Sequence, residues 1–132
     1  MPDSEGQGSA TRRRVLGDAH VDRAQAAATS FDAPFQTLIT EAAWGHVWSR
    51  DTISLRERSM LTIALLAGLG NDHDLALRIR ATHNTGASET DVMEALLHVA
   101  IHAGVPRANH AIPIAKETFA AMAGETQETT AP

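Results

Sequence analysis

The chain predicts an all-α protein, a compact bundle of about six to seven helices. Composition is the first reason: alanine is abundant, tyrosine is absent and aromatics make up only 4%. That balance favours helices over a β-sandwich, which draws on β-branched and aromatic residues. Punctuation is the second, because capping residues and glycines alternate along the chain at helix-length intervals. Third, no segment reads convincingly as a strand.

Residues 1–10 (MPDSEGQGSA) and 124–132 (GETQETTAP) read as disordered, solvated tails, leaving a folded domain over residues 11–123. Arg12 to Gly17 forms a short first helical piece, and Asp18 caps a second over His20–Thr29. Asp32 followed by Pro34 starts a helix that runs to about Ser49. Ser54 and Glu57 form a capping box, opening an apolar helix that ends at Gly68 and Gly70. Asn71 or Asp72 caps the next segment, which Gly86 terminates as a C′ glycine. Ser88 caps its successor, with Glu89 and Asp91 placed to favour the dipole of the first turn. Gly104-Val105-Pro106 breaks that helix and begins a last one, Arg107 to about Ala123.

With 43% hydrophobic and 20% charged residues, the 132-residue chain is globular and long enough to bury one core. A net charge of −5 argues against a nucleic-acid partner, since Arg12-Arg13-Arg14 is the only basic run. The absence of cysteine excludes disulfides, thiolate metal sites and thiol catalysis. The longest apolar run, Met60–Leu69, falls far short of the roughly 20 residues a membrane helix needs. The polar start lacks an apolar leader, so a soluble, cytoplasmic protein is expected.

Met60–Leu69 is apolar or small throughout except for Thr62, which predicts a helix buried on all sides. In so small a chain full burial is easier when subunits cover one side, so a homo-oligomer is expected. Arg58 enters that helix near its start, either snorkelling to solvent or holding a substrate carboxylate with its planar fork. Asp74 and Arg78 stand four apart, acid first, the better order for a helical ion pair. Arg80 and His83 share another face, with Asn84 close to Gly86.

His98 and His102 have the i, i+4 spacing of two metal ligands, but no Glu lies between them and cysteine is absent. A helical wheel places them with Asp91, opposite Val92, Met93, Leu96, Ala100 and Ala103, on a face that is solvent, interface or pocket wall. Trp44 and Trp48, four apart and followed by Arg50, either wall and clamp a small planar acid or pack on the core or a partner subunit. No glycine-rich phosphate loop or nucleophile elbow is present. The remaining tools suit anion binding, proton transfer and charge stabilisation.

RRRVLGDAHVDRA, AWGHVWSR, RERSMLTIALLAGLG, LRIRATHNTG and LLHVAIHAGVPRAN follow one another in the order and spacing of the carboxymuconolactone decarboxylase family. The resemblance covers roughly Arg12 to Phe119. VLGDAHVDRA separates this branch from the wider alkylhydroperoxidase-D-like superfamily, whose peroxidases carry a C-x-x-C pair; Asn71 and Asp74 stand near those positions here. The resemblance implies an all-helical fold assembled as a trimer or hexamer. It implies conversion of 4-carboxymuconolactone to β-ketoadipate enol-lactone and CO2 in the protocatechuate branch of aromatic catabolism, with no metal and no cofactor.

Carried over position by position, His20, Trp44, Arg50, Arg58, Arg80, Asn84, His98 and Pro106 match the family pattern. With Trp48 and Arg78 from the faces read above, the expected substrate-binding residues are His20, Trp44, Trp48, Arg50, Arg78, Arg80 and Asn84. The expected catalytic residues are Arg58 and His98, which match the pattern, and Asp74 and His102, which depart from it and shift the acid to His98 or His102. The chain departs from the family pattern at Asp74 (usually Glu), Arg78 (usually His), Thr85 (often Asn) and His102-Ala103 (Tyr-Cys or Tyr-Ala). Two alternatives accompany this reading: a same-fold enzyme acting on another carboxylated lactone, and a non-catalytic oligomer that binds a small acid. A metal enzyme built on His98 and His102 is a further one.

Overall fold

Every regular element among the described residues is helical. The computed structural model describes residues 3–130, with side chains described for residues 3–126. The helices are α1 (Ser4–Leu16), α2 (Asp18–Ala27), α3 (Ala33–Leu38), α4 (Leu55–Leu69), α5 (Asp72–Arg80), α6 (Thr82–Thr85), α7 (Glu89–His102) and α8 (Val105–Thr130). A π-helix, Ile39–Trp48, continues directly from α3. None of these helices is long and apolar enough to cross a membrane. The chain divides into two compact units, residues 1–55 and 56–132.

In the first unit α1 lies against the π-helix with almost no space between backbones. Gly8 is buried, and a Cβ there would collide with the Thr40 carbonyl oxygen and the Gly45 backbone nitrogen. A Cβ on Gly45 would meet the Ser4 carbonyl oxygen at 2.5 Å. Two glycines therefore set the approach of the two helices. The contact is tied by hydroxyls: Thr11 Oγ1 lies 2.6 Å from Ser49 Oγ, and Ser49 Oγ donates to the Trp44 carbonyl at 2.6 Å. Val15, Val21, Trp44 and Trp48 are the buried apolar side chains of this unit. Arg13 joins α1 to α2 by pairing with Asp18 at 3.1 Å and Asp22 at 2.9 Å.

This packing corrects the expected boundaries at the N-terminus. Helix α1 begins at Ser4, inside the stretch 1–10 read as a tail. Glycine and serine there looked like solvated chain because the sequence does not announce a backbone partner. The expected continuous helix to Ser49 changes pitch at Ile39, where the wider π turn takes over.

The core of the second unit is Ile63 and Ala67 of α4, Leu75 and Ile79 of α5, Val92, Leu96 and Val99 of α7, and Ala108, Ala111 and Ala115 of α8. Small alanines on α8 let the bulkier residues of its neighbours fill the space between helices. Helix α7 opens on the expected cap: Asp91 N donates to Ser88 Oγ at 3.0 Å and Ser88 N donates to Asp91 Oδ2 at 2.9 Å. Gly86 closes α6 in the left-handed region at φ 85°, as its C′ assignment requires.

Three details differ from expectation here. The segment to Gly86 is two helices, α5 and α6, separated at Ala81. Helix α8 continues beyond Ala123 through Gly124 to Thr130, within the stretch 124–132 read as a tail. Helix α4 is not buried all round in this chain: Ser59, Ile63 and Ala67 are buried, whereas Leu61, Leu65 and Leu69 are 57%, 64% and 67% exposed. Periodicity alone could not distinguish burial in the chain's own core from burial against another molecule.

Candidate active site

The first unit holds four of the candidate side chains: His20, Trp44, Trp48 and Arg50. His20 sits on α2 and is half-buried, while Arg50 follows the π-helix and is exposed. The tryptophans come together, ring centroids 5.2 Å apart and tilted by 40°. Both are buried, Trp44 more deeply than Trp48. Four residues apart and buried, they pack in the core of this unit, the second of the two alternatives their spacing allowed.

The second unit holds Arg58, Asp74, Arg78, Arg80, Asn84, His98 and His102. Arg58 lies one turn into α4, half-buried, with Ser59 behind it in the core. Asp74 is exposed and Arg78 half-buried one turn further along α5. Arg80 donates through Nη1 to both carboxylate oxygens of Glu125, at 2.9 and 2.7 Å. The Arg80 guanidinium draws the Glu125 carboxyl below the usual carboxylate range. Asn84 is exposed on α6.

His98 and His102 both stand exposed on α7, with near-parallel rings whose centroids are 5.9 Å apart. The buried stripe of that helix is Val92, Ala95, Leu96 and Val99, so the predicted wheel is rotated slightly; Met93 and Ala103 face outward. No cluster of three or more His, Asp or Glu side chains with metal-binding geometry occurs among the described residues. The imidazole pair therefore offers proton donors and acceptors rather than a complete ligand set.

Two further contacts were not foreseen from spacing. Arg56 binds Asp91 in a fork, Nε to Oδ2 at 2.7 Å and Nη2 to Oδ1 at 2.6 Å. With the Ser88 backbone N–H on the same carboxylate, this holds the Asp91 carboxyl well below its ordinary value. His110 and Asp72 meet at 2.8 Å. Each contact joins residues more than thirty positions apart, for which local spacing carries no signal.

Chemically, the second unit supplies guanidinium forks for carboxylates and two neighbouring imidazoles for proton transfer. The sequence pattern of the carboxymuconolactone decarboxylase family matches residues 33–117. The chain is 39% identical over 113 residues to a 4-carboxymuconolactone decarboxylase of Acinetobacter baylyi, covering 86% of this chain and 84% of that protein. It is 38% identical over 113 residues to a nitrosuccinic acid decarboxylase of Metarhizium robertsii, covering 86% and 79% respectively.

Proposed function

The chain belongs to the carboxymuconolactone decarboxylase family, and from that premise we propose that it decarboxylates 4-carboxymuconolactone to β-ketoadipate enol-lactone without a metal or organic cofactor. The observation that carries this reading is 39% identity to a decarboxylase of that name over 86% of the chain. The chemistry fits the side chains at hand. Breaking the bond to the leaving carboxylate puts its electron pair on a carbon conjugated with the unsaturated lactone. That pair delocalises onto the lactone oxygen as a dienolate, so the substrate is its own electron sink. The protein has to orient the ring, stabilise the oxyanion and return a proton to carbon.

In this reading Arg58, Arg78 and Arg80 of the second unit supply forks for the substrate's carboxylates. Arg80 exchanges Glu125 for the substrate. His98 or His102 delivers the proton, with Asp74 beside Arg78 tuning the charge of the α5 face. Asn84 of the second unit, and His20 and Arg50 with the buried Trp44–Trp48 pair of the first unit, complete the set of proposed substrate-binding residues. The departure from the family pattern at Arg78 leaves the α7 imidazoles as the acid.

A second reading is favoured by the 38% identity to the nitrosuccinic acid decarboxylase. Nitrosuccinic acid is also a diacid whose leaving carboxylate stands beside an electron-withdrawing group. Incubating the purified protein with each acid, with and without chelator, separates the readings. Chelator-resistant CO2 release with enol-lactone formation supports the first, and CO2 release from nitrosuccinate alone supports the second. Tight binding of the lactone with no turnover of either acid sinks both and leaves a binding protein.

The reading includes a homo-oligomer in the cytoplasm, of three or six subunits. Its support is the stripe Leu61, Leu65 and Leu69 on α4, together with Leu97 and the 78%-exposed Ile101 on α7. So much exposed aliphatic surface on one unit calls for a cover.

A further inference from the structure

The three arginines of the only basic run have different fates. Arg13 is neutralised by Asp18 and Asp22, and Arg14 is exposed. Arg12 is buried, with only 8% of its surface exposed. It shares the inner face of α1 with Gly8 and Val15, which turns its guanidinium inward. Among the described residues its side chain makes one hydrogen bond, to a neutral group, Nη1 to Gln36 Oε1 at 3.4 Å, and its Nε has no partner. A buried cation left in this state is costly, because desolvation is offset by no opposite charge. Burial lowers the Arg12 pKa, and the neighbouring positive charge of Arg13 lowers it further.

The guanidinium borders a cavity of about 210 Å³ within the first unit, lined also by Ser9, Gln25, Gln36, Thr37 and Thr40. Glu5 contributes to the lining as well, but it is exposed and makes no ion pair with Arg12 among the described residues. Apart from Glu5, the lining is thus a guanidinium fork with unused donor capacity beside neutral amides and hydroxyls that can donate to an oxygen anion. A single guanidinium matches the charge and planar geometry of one carboxylate. We propose that Arg12, with Gln36 and the Thr37 and Thr40 hydroxyls, forms a binding site for the carboxylate of a small organic acid. The inference does not depend on which acid the protein decarboxylates.

Two measurements test it with succinate as the probe. In the wild-type protein, phenylglyoxal modification followed by mass spectrometry reports each arginine separately. Succinate slows labelling of Arg12 severalfold and leaves the exposed Arg14 unaffected. In ligand-observed NMR, Arg12→Gln binds succinate about tenfold or more weakly, the loss expected for a charge-assisted contact, whereas Arg14→Gln binds normally. Circular dichroism establishes that each variant is folded.

Labelling of Arg12 at one rate with and without succinate overturns the proposal. So does unchanged succinate affinity in folded Arg12→Gln. Kinetics with 4-carboxymuconolactone identify the source of the carboxylate. A raised KM at constant kcat in Arg12→Gln makes it an arm of the substrate; loss of succinate binding at constant KM makes it a separate acid. Both outcomes uphold the carboxylate site, and the succinate measurements remain decisive even if the lactone is not turned over.

Discussion

At the scale of single residues, the sharpest expectations concern His98 and Arg58. If one α7 imidazole returns the proton, His98→Ala lowers kcat by about 10²–10⁴-fold while the fold is retained. Arg58→Ala removes a fork for an anion and lowers kcat/KM by a comparable factor, measured by CO2 release. Full activity in both variants would remove these residues from the proposed site. Asp91 carries a separate, pH-dependent expectation. Its folded carboxyl titrates below the unfolded Asp value of about 3.9, so its pairing adds stability that is fully present above that pH. The contribution is lost as pH falls through the folded value. Acid titrations of wild type and Asp91→Asn by circular dichroism therefore separate near neutrality and converge at the acid end. A constant gap at every pH would mean that charge at Asp91 is not the cause.

The candidate residues themselves were legible because they sit in contiguous motifs, such as His98-Val-Ala-Ile-His102 and Trp44 to Arg50. Their partners were not. The Arg80–Glu125 and Arg56–Asp91 pairs span 45 and 35 residues, and nothing in local spacing nominates such partners. Long side chains choose partners by tertiary proximity, which a one-dimensional pattern does not encode.

At the scale of elements, Asp18 lies inside α2 rather than capping it and Asn71 makes no side-chain cap on α5, whereas the Ser88 cap and the Gly86 break hold. Ser88 with Asp91, and Gly86 at positive φ, are local hydrogen-bonding and steric requirements that act within four residues. The start of α1 and the π-helix were hidden because they depend on a contact between distant segments. Gly8 reads as tail and Gly45 as an ordinary helical position until their backbones are seen against the π-helix and α1. Gly8→Ala is accordingly expected to destabilise the first unit by about 1–3 kcal/mol, although alanine is the better helix former. Thermal denaturation followed at a helical wavelength checks the sign. A stabilised Gly8→Ala would show that the two backbones are not held so close.

For the whole molecule, the apolar stripe on α4 decides between a free chain and an assembly. Leu65→Glu places a charge at the centre of the row formed with Leu61 and Leu69. Sedimentation velocity is expected to show wild type as trimer or hexamer and Leu65→Glu as smaller species. The change leaves the internal core, which uses Ile63 and Ala67 of that helix, intact. A wild-type monomer at micromolar concentration would remove the need for a cover. The all-α class was readable from composition and punctuation alone. Which leucines of α4 lie outside the chain's own core was not, because an apolar run carries no mark of the side on which the core sits.

The two tryptophans also give the molecule an optical asymmetry. Tyrosine is absent and both indoles lie in residues 1–55, so the second unit carries no strongly fluorescent side chain. Emission near the indole band is therefore a private signal of the first unit, whereas far-ultraviolet ellipticity sums the helices of both. Overlaying the two denaturation curves measures directly whether the halves of the chain melt together. Coincident midpoints are expected for one cooperative transition. An emission change that precedes the loss of ellipticity would reveal a first unit that opens while the helices bearing the imidazole pair still stand.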